Sequence, residues 1–235
     1  MLTNRLQSAL PAPDILTNPH RARRDLEAAH YSAARAELPA ALFAPLHYEP
    51  NYAYPLVVWL HGASDDESQL KRVMPLISMR NYVAVAPRGP RRQDRAAGKP
   101  AYTWPQSAAD WAVAEQRTFE AIEMAQDRFH ISPRRMFVAG YDCGGTMAFR
   151  LAMDHPRRFR KVPVFLACGR DSHVYASIEV CNNLRLFHSA GMNVSLRQYP
   201  CGHEIVPAML ADMDRWIMEQ ITAGSPAAVG ETSAR

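Results

Sequence analysis

The stretch Phe137–Thr146 (FVAGYDCGGT) constrains this chain more than any other. An apolar run of β type, Met136 to Ala139, leads into a glycine-flanked turn, and Thr146 to Met153 then reads as a helix. Gly140 and Gly144 stand two residues either side of Asp142, which is the small-x-nucleophile-x-small layout of a strand-to-helix nucleophile elbow. Both glycines have a steric purpose. The central residue of such a turn sits on a strained backbone, and neighbouring segments approach where a Cβ would clash. A serine or cysteine is usual at the centre, and here the residue is an aspartate.

The rest of the chain reads as alternating strands and helices. Pro39–Pro45 predicts a short strand, and Tyr54–Leu60 is an apolar run suited to a central strand covered on both faces. Gln69–Ser78 predicts a helix, Tyr82–Pro87 a strand, Ala108–Arg128 a helix. After the elbow come a strand over Val162–Cys168, a helix over Tyr175–Ser189, a strand over Asn193–Tyr199 and an amphipathic helix over Ile205–Ile221. This order predicts one α/β domain over residues 37–222, mostly parallel in its sheet, with helices on both faces. Residues 1–36 form an N-terminal extension with a helix expected over His20–Arg35, and residues 223–235 a Gly/Ser/Pro/Ala-rich flexible tail. Ligand chemistry in such sheets gathers at the carboxyl ends of the strands. His61-Gly62-Ala63, Asp142, Asp171 and His203 all fall there.

Composition excludes several function classes. The net charge of +4, from 27 basic and 23 acidic residues, is too mild to imply a polyanionic partner. The arginine clusters at Arg21–Arg24, Arg88–Arg95 and Arg157–Lys161 carry no nucleic-acid motif, so they read as solvated faces and not as a nucleic-acid surface. The longest fully apolar run, Leu56–Leu60, is far short of a membrane span. Cys143, Cys168, Cys181 and Cys201 have no metal-ligand spacing, which fits reduced thiols in a cytoplasmic protein. No metal, phosphate loop or dinucleotide fingerprint is present in the sequence, so no cofactor is expected; the expected partner is a small-molecule substrate.

Four motifs in order, each at a strand end, make the chain resemble an α/β-hydrolase, and within that group the small, cap-less phospholipase/carboxylesterase and dienelactone-hydrolase-like families. They are Leu60-His61-Gly62, the elbow Gly140–Gly145, Asp171 followed by Val174, and Gly202-His203-Glu204. The resemblance runs from about Tyr54 to Ile221 and follows the chain order nucleophile, acid, histidine. It implies Asp142 at the nucleophile position, Asp171 as triad acid and His203 as base. It also implies the backbone N–H groups of Ala63 and Cys143 as oxyanion hole, and Trp104 as a pocket wall. His61 is expected to shape the turn before the oxyanion donor. Cys143 as an alternative nucleophile would put the bulky Tyr141 where the elbow wants glycine.

The chain departs from these families twice. Asp142 needs no base to activate it, since a carboxylate ionises near pH 4, but its attack on an ester would give a high-energy anhydride. Aspartate in this place suits displacement at saturated carbon, as in haloalkane dehalogenases and epoxide hydrolases, whose elbow this one resembles. Second, only Arg160 and Lys161 separate Phe159 from the next strand, where these families have a further strand, so the sheet is expected to be one late strand short. The implied function is a hydrolase of small carboxylic-ester-like substrates. The alternatives are a hydrolase working through an alkyl-aspartyl intermediate and a non-catalytic protein on the same scaffold.

Overall fold

The computed structural model describes residues 39–91, 101–104, 106–159 and 163–223. The N-terminal extension with its expected helix, and the tail beyond Ala223, lie outside them. Among the described residues five helices and six strands follow one another in the expected order: β1 (Ala40–Phe43), β2 (Tyr54–Leu60), α1 (Gln69–Ile77), β3 (Val83–Pro87), α2 (Ala108–Arg128), β4 (Ile131–Gly140), α3 (Cys143–Asp154), β5 (Val164–Gly169), α4 (Ser177–Ser189), β6 (Val194–Tyr199) and α5 (Pro207–Ala223).

The strands form a four-stranded sheet of order β1-β3-β2-β4 and a two-stranded sheet β5-β6. Among the described strands only β1 runs antiparallel to its neighbour; the other strand pairs are parallel. Among the described residues no ladder joins β4 to β5. The break falls where the sequence is expected to be one strand short.

All seven residues of β2 are buried, as a strand flanked on both sides and covered on both faces requires. Its side chains alternate between two cores, with the period of two that a pleated strand imposes. Leu56, Val58 and Leu60 pack with Ile122 of α2 and Met147 and Leu151 of α3. Val57 and Trp59 pack with Leu70, Val73 and Met74 of α1 and Leu210, Met213 and Ile217 of α5. In β4 the register slips between Tyr54 and Leu56 of its partner, so that Ile131 faces the former and Met136 the latter. The loosened segment between them carries Pro133, which has no N–H to give a ladder. Beyond it β4 pairs regularly with β2 up to Gly140, which delivers the elbow beside the end of the central strand. No helix among the described residues is long and apolar enough to cross a membrane.

Candidate active site

The elbow is tighter than its sequence alone requires. A Cβ on Gly140 would lie 2.5 Å from the backbone of Gly144 and 2.8 Å from the carbonyl oxygen of Leu60. One on Gly144 would lie 2.2 Å from Leu60 O and 2.4 Å from His61 O. Only glycine fits at either place. Between them Asp142 has φ +53° and ψ −123°, a conformation that costs a non-glycine residue about 1–3 kcal/mol and persists because the surroundings enforce it. Helix α3 begins at the next residue, Cys143.

The turn after β2 is held from below. His61 is fully buried, accepts the Gly89 N–H at Nε2 (2.9 Å), and so carries its proton on Nδ1, which donates to Gly62 O (2.8 Å). Burial holds its pKa below the usual histidine value, outweighing the Gly62 hydrogen bond and the nearby carboxylates. With both ring nitrogens engaged, His61 shapes the turn, as expected. Gln69 Oε1 adds bonds from Trp59 Nε1 (2.7 Å) and from the Gly62 N–H (3.3 Å). Trp104, expected as a pocket wall, is 1% exposed and lies 5.3 Å from the His61 ring. It supports the turn from behind, because Ser64 N–H and Tyr102 O (2.9 Å) and Thr103 N–H and Pro90 O (3.1 Å) fold its segment inward.

Two expected residues meet at the elbow. His203 Nε2 lies 3.6 Å from Asp142 Oδ1, and the Ala63 N–H donates to Asp142 Oδ2 at 3.3 Å. One of the two expected oxyanion donors is therefore turned on the carboxylate itself. The other, the Cys143 N–H, belongs to the first turn of α3, whose N–H groups have no intrahelical acceptor. The pair is open to solvent, with side-chain exposures of 27% for Asp142 and 30% for His203.

Asp171 is not brought to His203. Its side chain is exposed and makes no hydrogen bond or ion pair with the imidazole. The place at Nδ1 is taken by the next residue: Ser172 Oγ lies 3.4 Å from His203 Nδ1 and accepts the Tyr175 N–H at 3.1 Å. The cause is the turn that follows β5. The Arg170 N–H bonds Tyr199 O (2.8 Å), the Asp171 N–H bonds Cys201 O (3.0 Å) and the Ser172 N–H reaches back to Gly169 O (3.4 Å). This turn leaves Asp171 exposed and carries Ser172 inward, 6% exposed.

Sequence reasoning also missed Tyr141 and Gly169. The Tyr141 ring stacks on His203 (centroids 5.2 Å, planes 29° apart) and its hydroxyl donates to His203 O at 2.7 Å. On its other side a Cβ at Gly62 would lie 2.6 Å from Tyr141 Cδ1, so the ring is clamped between the oxyanion turn and the histidine loop. Burial, with the charges of Asp142 and Glu204, pushes its pKa up and keeps the hydroxyl a donor. Gly169 lets the loops after β5 and β6 touch, since a Cβ there would lie 2.0 Å from Gly202 O. A glycine closing an apolar strand was the one signal available for it. Among the described residues no group of His, Cys, Asp and Glu is arranged to hold a metal ion.

Comparison with known proteins agrees with this architecture. Residues 32–173, more than half of the chain, match the Putative esterase family, and the chain belongs to it. A Bacillus cereus carboxylesterase superposes with a TM-score of 0.62 at 15% identity, over 80% of this chain and 97% of that one. Arabidopsis thaliana SOBER1 gives 0.59 at 16% identity, over 72% and 100%. Zea mays acyl-protein thioesterase 2 gives 0.56 at 17%, over 78% and 99%. At these identities the likeness shows the fold, which is that of an α/β-hydrolase.

Proposed function

We propose that the protein hydrolyses small carboxylic-ester-like substrates at the Asp142–His203 pair. The reading is supported by membership of the esterase family and is carried by one observation: His203 is held on the Tyr141 ring with Nε2 3.6 Å from Asp142 Oδ1. Asp142 then acts as the carboxylate that holds the imidazole and stabilises the imidazolium formed when His203 takes a proton. It does not attack the ester carbonyl, which would yield an anhydride. The elbow has changed from the seat of the nucleophile to the seat of the anion.

Short-chain chromogenic esters test this. Turnover should be measurable, and His203→Ala should lower kcat/KM by about 10²–10⁴-fold, the usual worth of a positioned base. Turnover that survives His203→Ala would sink the assignment.

A second reading has its own observation. The Ala63 N–H bonds Asp142 Oδ2, whereas among the described residues Oδ1 accepts no hydrogen bond and only faces His203 Nε2 at 3.6 Å. That suits displacement by Oδ1 at saturated carbon, forming an alkyl-aspartyl ester that His203 and water would cleave. Haloalkanes and epoxides would then be substrates, and single turnover in H₂¹⁸O would place the label in the Asp142 carboxylate. In the first reading the label enters the product acid. Silence with every substrate class would favour the non-catalytic scaffold.

A further inference from the structure

We propose that Ser172 is the nucleophile of this site: the hydroxyl–imidazole–carboxylate relay is present with its ends exchanged, the carboxylate on the elbow and the hydroxyl on the loop after β5. The inference rests on the esterase reading above and names the group that attacks.

A neutral imidazole has one N–H and one lone pair. His203 Nε2 faces the Asp142 carboxylate at 3.6 Å, which attracts an N–H and repels a lone pair. The proton therefore sits on Nε2 and the basic lone pair on Nδ1. Nδ1 faces Ser172 Oγ at 3.4 Å. Since Oγ already accepts the Tyr175 N–H (3.1 Å), its own hydrogen is free to be given to Nδ1. This is a serine aligned on a general base whose far side is held by a carboxylate. A distance of 3.4 Å is long, as such bonds often are before substrate closes them.

Two neighbouring hydroxyls are otherwise engaged. Thr103 Oγ1 pairs with Cys143 Sγ (3.5 Å), and Tyr141 Oη donates to the His203 carbonyl (2.7 Å). Ser172 itself is 6% exposed, but Asp171, His173 and Val174 around it are exposed, Val174 by 62%, so its loop lies at the surface. The His173 N–H follows it in the chain as candidate donor to the oxyanion.

In the reaction Ser172 Oγ bonds to the ester carbonyl carbon while its proton passes to His203 Nδ1. The alkoxide leaves with that proton, giving acyl-Ser172. Water then attacks the acyl carbon and gives its proton to Nδ1, which returns it to Oγ as the acid departs. The Nε2 proton stays on the imidazole, facing Asp142, throughout, and atoms and charge balance without a co-reactant.

A fluorophosphonate probe on the full chain tests this directly, because it labels an activated serine with loss of fluoride whether or not any ester is turned over. Peptide mass spectrometry should place the adduct on Ser172, with labelling at least about 100-fold slower in His203→Ala. An adduct on another residue, or none under conditions that label a serine esterase, overturns the proposal. Ester turnover persisting in Ser172→Ala overturns it too while leaving the esterase reading intact. Labelling of Ser172 without ester turnover supports the activated serine and sinks the esterase reading instead. Ser172→Cys guards against loss of fold: it should retain labelling by a thiol-directed alkylator, with a rate that falls in Asp142→Asn.

Discussion

The two sheets of this molecule are built to different standards. In the four-stranded sheet every residue of β2 and β3 is buried, and helices cover both faces. In the two-stranded sheet the first four residues of β5 are only half-buried, and β6 buries Tyr199 alone. Helix α4, outside it, buries only Val180 and leaves Ile178 and Leu186 exposed by 68% and 67%. The anion, Asp142, is fixed by the first body, whereas the hydroxyl and the imidazole ride on loops of the second. A relay whose charge is set by dense packing and whose base and hydroxyl are set by a lighter frame must be tied across. Tyr141 does so above, and Trp216 of α5 does so below, where its ring lies 6.4 Å from that of Phe137 and 5.8 Å from that of Phe165.

Glycine substitutions test the difference most severely. In Gly144→Ala the new Cβ would lie 2.2 Å from Leu60 O, an atom of the central strand that cannot yield without breaking the ladder. A cost above about 4 kcal/mol, a large share of a domain's stability, is expected, with loss of the cooperative thermal transition. Gly169→Ala meets an equally close atom, Gly202 O at 2.0 Å, but in a loop. It should displace His203 and abolish turnover while the urea midpoint falls by less than half as much. Equal destabilisation by the two variants would show that the sheets are one cooperative body and break the comparison.

Exchanging the ends of the relay sharpens it. Asp142→Ser combined with Ser172→Asp puts hydroxyl on the dense side and carboxylate on the light one, the order usual in this fold. Fluorophosphonate labelling should move to position 142, about 100-fold faster than in Asp142→Ser alone, which lacks a carboxylate on His203. If the single variant reacts as fast as the double one, Asp171 supplies the carboxylate and the turn seen here is not the working one.

The dense side also carries a pH signature. Burial lowers the pKa of His61 below its unfolded value, so between the two values the unfolded chain binds more protons and stability rises with pH. His61 should contribute nothing to the slope above about pH 7, and acidification through pH 6.5 should destabilise by at most about 1.4 kcal/mol per pH unit until the folded-state pKa is reached. Urea midpoints at pH 7.5 and 5.5 should therefore differ more in the native chain than in His61→Gln. An unchanged difference would place the acid sensitivity elsewhere.

The same division governed what the sequence could reveal. The elbow was legible because Gly140 and Gly144 answer a steric demand that any chain making this turn must meet. The central strand was legible because burial on both faces leaves no room for polar residues. Ser172 was not legible. Whether residue 171 or 172 faces His203 depends on the turn that Gly169 O and the loop after β6 impose on Arg170, Asp171 and Ser172, and motif spacing does not resolve a shift of one residue. Tyr141 entered the sequence argument only as a side chain too large for a shifted elbow. Its clamp depends on Gly62, far away in the chain, lacking a Cβ. Trp104 was legible as a neighbour of the site but not as its support, since the bonds that turn it inward come from Ser64 and Pro90.

The smallest effect isolates the tie itself. Tyr141→Phe keeps the ring between Gly62 and His203 and removes only the hydroxyl that donates to His203 O at 2.7 Å. One such bond is worth about 1 kcal/mol, so the urea midpoint should fall slightly. If the bond positions the base, kcat should drop about fivefold with KM little changed, because an imidazole that wanders fails in the chemical step and not in binding. Tyr141→Ala removes the stack as well and should cost clearly more in kcat. A Phe variant equal to the native chain, with the Ala variant impaired, would assign the coupling to the ring face alone. A rise in KM at constant kcat in both variants would mean that Tyr141 touches substrate, and the two sheets would have to be tied through Trp216 instead.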